Sequence, residues 1–225
     1  MISILKQFSI VRLLFLAVFD MAMMNFYVAI FSKRLLALGV PKFWYTHFFV
    51  LPFIFTAVST VIYFKLNKRL RPHHWIMIGK TFLLLGFIFV GPSTIFYNMT
   101  MTQQIISTAC GLGFIGFSLT FNVVPLFPMM MDEIKQTFVM DDIKLNDVAS
   151  GLYTASFGLG CMIGPVLAAY LDKVFGFRYT TDIFSIIILI LLTSILILWK
   201  NKYTEPISVS KHHQVPSEER SKSSC

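Results

Sequence analysis

Six long apolar stretches separated by short polar connections fill residues 8 to about 199 of this 225-residue chain, and each can cross the roughly 30 Å hydrocarbon layer of a bilayer. They fall at 8–32, 43–64, 75–95, 105–131, 148–171 and 182–199. An apolar fraction of 56% leaves too few polar side chains to cover a water-soluble globule, so lipid is the expected solvent. Peptide groups in hydrocarbon must be satisfied within their own segment, and none of the stretches shows the alternation of a barrel strand. The expected fold class is an all-α membrane protein with six transmembrane helices. An even number of crossings returns both termini to one side.

The net charge of +8 is carried in loops and tail, where it sets orientation rather than marking a nucleic-acid surface. Fourteen basic residues, including Lys65, Lys68, Arg69, Arg71 and Lys80, belong to one side; five, Lys33, Arg34, Lys42, Lys173 and Arg178, belong to the other. The asymmetry places the N-terminus, the 65–75 and 132–147 loops and the C-terminal tail in the cytoplasm, and leaves plasma membrane and vesicular or other internal membranes equally open. The uncharged 96–104 connection then faces the lumen or exterior, and it holds a glycosylation sequon at Asn98. The first stretch is expected to stay as a helix, because no small-residue cleavage pattern follows Ser32-Lys33-Arg34. Residues 200–225 turn abruptly to Lys, His, Ser, Glu and Pro and are expected to form a disordered tail near acidic lipid headgroups.

A few residues break the apolar rule. Asp20 lies about twelve residues into the first span, which at about 1.5 Å per residue is close to the bilayer midplane. A carboxylate there must take up a proton, an ion or a cationic amine, or remain a neutral acid bonded to a neighbouring helix. Helical spacing puts Met24 and Tyr27 near its face and turns Asn25 away, leaving Asn25 as either helix glue or a cavity residue. Lys80 reads as a snorkelling lysine near the cytoplasmic end of the third span.

In the fourth span, Gly111, Gly113 and Gly116 match the letters of a dinucleotide-binding turn but follow no strand, so they read as points of close helix approach. Asn122, Pro125 and Pro128 interrupt the same span, in the manner of broken helices that line transport cavities. Gly160 and Gly164 form a GxxxG spacing in the fifth span, and Gly164-Pro165 is a candidate bend for gating. No zinc motif, serine elbow or cysteine–histidine pairing falls in the spans, which gives no basis for an enzyme, a metal or a cofactor.

Six spans with inside termini, a basic loop after the second, and GLGCMIGPVLAAYLDKVFGF in the fifth resemble the C-terminal half of a major facilitator superfamily transporter. Residues 83–191 are most similar to the vesicular amine transporter group, including its polyamine branch, through Gly91-Pro92, Val124-Pro125-Leu126-Phe127-Pro128 and Gly164-Pro165 followed by Phe175-Gly176-Phe177. The resemblance implies two inverted three-helix repeats and exchange of a small organic cation for protons. Joined to the reading of the polar residues above, it has Asp20 binding the cation or proton and Asn25 and Asn122 supplying polar contacts. It also implies a transport carboxylate at Asp132, seven residues after Pro125, whose alternative is an ordinary interfacial acid. Thr154 stands where the monoamine branch has an acid, and the Lys65–Arg71 loop lacks the superfamily's usual Gly and Asp. Such carriers have two six-helix halves, so the resemblance implies a missing N-terminal half or a second copy as partner. The alternative is a non-transporting protein that regulates or scaffolds a full-length carrier.

Overall fold

The computed structural model describes residues 7–91, 99–138 and 141–204. Those residues form five helices and no strand: α1 (Phe8–Ala37), α2 (Lys42–Leu66), α3 (Pro72–Val90), α4 (Met101–Thr137) and α5 (Asp142–Thr204). All five contain segments long and apolar enough to cross a membrane. The expected sequon at Asn98 and residues 205–225 of the expected tail lie outside the described residues, whereas residues 200–204, expected to begin that disordered tail, continue α5 as helix.

Local chemistry sets the ends of the helices beyond the limits of the apolar runs. α1 stops where Gly39 takes φ +65, a conformation that favours glycine. There the Gly39 and Val40 amides donate to the Leu36 and Leu35 carbonyls, a Schellman closure with Val40 and Leu35 together in the core. α3 starts with the Pro72 ring in its first turn, where a missing N–H costs nothing. α4 starts from a reciprocal capping box between Thr100 and Gln103.

α5 holds both of the last two apolar stretches, separated by one break at Gly176 (φ 76, ψ 165). The connection expected at 172–181 is otherwise helical, because its polar groups are used locally: Asp172 pairs with Lys33 at 2.9 Å, and the Thr181 hydroxyl donates to the Arg178 carbonyl at 2.7 Å. Before the break, α5 runs in the same direction as α1, with Gly160 against Val18, Gly164 against Ala22 and Asp172 at Lys33. Beyond it, Phe177 lies under Arg34 and Phe184 against Phe26, so the second arm runs back along α1.

The core centres on α1 and α4, whose most apolar windows are 67% and 61% buried, whereas that of α2 is only 17% buried. Glycines let the helices close up. Gly86 and Gly111 bring α3 onto α4, and Gly116 brings α4 onto the Pro52 carbonyl of α2. The outer faces are strongly apolar, with Phe43, Phe53, Val61 and Phe64 of α2 and Met162 and Val166 of α5 all exposed. In water such faces would drive association; acyl chains cover them without cost.

Candidate functional site

Asp20 lies near the middle of α1 and Lys80 near the middle of α3, and the Lys80 ammonium donates to the Asp20 carboxylate. Lys80 is 0% and Asp20 5% exposed. This placement corrects the sequence reading of Lys80 as a snorkelling residue. α3 begins at Pro72 and ends at Val90, earlier at both ends than the apolar run suggested, which shifts Lys80 from the edge of the span to its centre. Taking Lys80 out of the fourteen basic residues on the heavier side leaves thirteen against five, so the charge asymmetry survives.

Small residues bring the partners together. Gly160 and Gly164 of α5 sit directly on α1, against the Val18 and Ala22 backbone and the Met21 Cβ, bracketing Asp20. Gly79, beside Lys80, faces the Asn122 amide of α4, and a Cβ there would come within 2.8 Å of Asn122 Cγ. Asn122 is buried and its Nδ2 donates to the Ser118 carbonyl at 2.9 Å. Its Oδ1 has no hydrogen-bond partner among the described residues.

Aromatic groups complete the surroundings. The Phe19 ring centroid lies 5.3 Å from Lys80 Nζ, within cation–π range. Tyr153 of α5 is close enough to feel the Asp20 charge, and its hydroxyl donates to the Val123 carbonyl at 2.9 Å. That carbonyl lies in the stretch of α4 interrupted by Pro125 and Pro128, which deprive the Phe121 and Val124 carbonyls of their helical donors. α4 nonetheless continues as a helix through both prolines.

The remaining sequence candidates lie elsewhere. Asn25 Nδ2 donates to the Met21 carbonyl at 2.9 Å and to Cys161 Sγ at 3.3 Å, linking α1 to α5. Asp132 is exposed five residues before the end of α4 at Thr137, and no ion pair links it to Asp20 or Lys80 among the described residues. Pro165 follows Gly164 inside α5.

The sequence reading missed a second polar feature, a hydroxyl cluster between α2 and α4. Ser59 donates to Thr120 Oγ1 at 2.7 Å, Thr60 and Thr120 lie 3.1 Å apart, and Thr56 donates to the Gly116 carbonyl at 3.0 Å. Their spacing of three and four residues along α2 is the signal that could have revealed it.

A helical bundle with apolar outer faces and an ion pair sealed at its centre defines a multi-pass membrane protein. Comparison with known proteins narrows the class. The chain is 22% identical over 129 residues to the MFS-type transporter SLC18B1 of Homo sapiens, a match covering 56% of this chain and 28% of that protein. It is 22% identical over 125 residues to MFS-type transporter SLC18B1 of Mus musculus, covering 55% of this chain and 27% of that one. These similarities tie the chain distantly to MFS-type transporters, of which it matches little more than a quarter of the length. No family model and no solved structure matches it.

Proposed function

We propose that the protein is a secondary active transporter, or half of one, that exchanges a small organic cation such as an amine or polyamine for protons. The buried Asp20–Lys80 pair carries this reading: a carboxylate held in mid-bundle by a removable positive charge can accept a different positive charge in its place. The similarity to MFS-type transporters supports the transport class. On this reading the two arms of α5 count as separate crossings, giving six spans in two inverted triplets, with both termini cytoplasmic, and Asn98 carries glycan on the opposite side. Asn122 contributes a polar contact, Gly160, Gly164 and Pro165 form the surface on which α1 and α5 shift, and Pro125 and Pro128 let α4 bend. Asp132 takes the interfacial role. The partner is an N-terminal half or a second copy, in a vesicular or plasma membrane.

The test is proton-gradient-driven uptake of radiolabelled benzyltrimethylammonium by proteoliposomes holding native protein or the Asp20→Asn variant. Gradient-dependent uptake by native protein alone is expected; equal uptake by both removes Asp20 from the mechanism. The exposed apolar faces of α2 and α5 favour a second reading, a non-transporting protein that docks on a full-length carrier. Stable co-purification with such a carrier, without uptake, would select it.

A further inference from the structure

The Asp20–Lys80 pair is electrically neutral and shut off from solvent. A monovalent cation arriving at Asp20 while Lys80 keeps its proton would leave a net positive charge in a low-dielectric interior, which is far more costly than a neutral site. A neutral amine, by contrast, needs only hydrogen-bond partners. Asn122 presents one: its buried Oδ1 is unpartnered among the described residues, and its amide faces Gly79, the residue before Lys80. Phe19 presents a π face on the Lys80 side of the pair, usable by either cation.

We propose that Lys80 is the proton-releasing group of the site: a monovalent organic cation binds Asp20 only in exchange for the Lys80 proton. This rests on the transport reading above and adds the identity of the proton carrier. In the exchange one Nζ–H bond of Lys80 breaks, the electron pair stays on nitrogen, and the proton passes to the water that reaches the site when the bundle opens to admit the cation. The Asp20 carboxylate keeps its charge throughout, the incoming cation replaces the ammonium, and the site holds zero net charge before and after. The titratable group facing the pair from α5 is Tyr153, whose hydroxyl is committed to the Val123 carbonyl; α4 contributes the neutral Asn122.

The experiment uses the full chain in lipid nanodiscs with benzyltrimethylammonium, a fixed-charge cation with no exchangeable proton of its own. Native protein is expected to release one proton per bound cation, read by a pH indicator in weak buffer, and to bind about tenfold more tightly per pH unit while Lys80 is charged. Infrared difference spectra should show no loss of a protonated-carboxyl band on binding. Lys80→Arg keeps the charge but cannot shed a proton, so it should lose cation binding. Binding without proton release, disappearance of a protonated-carboxyl band, or native-like binding by a folded Lys80→Arg variant overturns the proposal while leaving transport intact. If native protein binds no cation, the transport reading falls, and this inference with it. Because the proton count and the infrared spectrum need only native protein, a misfolded variant would not prevent a decision.

Discussion

Lys80 of α3 and Asp20 of α1, sixty residues apart in sequence, form an ion pair that is the most deeply buried charge in the described structure. Each neutralises a group that the bundle could not otherwise hold. Removing either partner strands the other, at a cost of about 3–5 kcal/mol, whereas replacing both with apolar residues of similar size is close to neutral. Unfolding of Asp20→Asn, Lys80→Met and Asp20→Leu/Lys80→Met in detergent should show two large single losses and a much smaller double loss.

Asp132 separates position from sequence analogy. It is exposed near the end of α4. Asp132→Asn should change stability by no more than about 0.5 kcal/mol and leave cation uptake near native levels, while Asp20→Asn abolishes uptake. Loss of uptake on Asp132→Asn would restore the transport role that the family resemblance implies.

Gly164 has no room for a methyl group, because a Cβ would meet the Ala22 backbone of α1. Gly164→Ala should therefore destabilise the α1–α5 contact by about 1–3 kcal/mol, read as a lower thermal midpoint. Gly158→Ala on the same helix, where a Cβ meets open space, serves as the control and should be tolerated.

Gly176 adopts φ 76 and ψ 165, a region that side chains with a Cβ avoid. Gly176→Ala should cost about 1–3 kcal/mol, although a Cβ there meets no neighbour, so the loss isolates backbone strain. Chemical unfolding of the purified protein measures it.

The Ser59–Thr120 hydrogen bond joins α2 to α4. A double-mutant cycle with Ser59→Ala and Thr120→Ala should give a coupling of about 0.6 kcal/mol, the usual size for hydroxyl pairs between membrane helices. A coupling near zero would mean that Thr60 and the Thr56 carbonyl take over as Thr120's partners.

That the chain is helical and fit for a membrane is legible in its residues alone, because hydropathy is a local property that adds up along each segment and lipid allows the backbone few alternatives. So is Asp20, since one carboxylate in a long apolar run is conspicuous at any register. Whom Asp20 meets depends on how the helices pack. Hydropathy alone puts Lys80 at the edge of the third span; the Pro72 start of α3 and the glycine contacts at Gly79, Gly160 and Gly164 put it opposite the acid. The break at Gly176, in place of a ten-residue loop, and the Asn122 oxygen left without a partner among the described residues are hidden for the same reason. Such features depend on which helix faces come together, and a partner sixty positions away leaves no periodic trace in either segment.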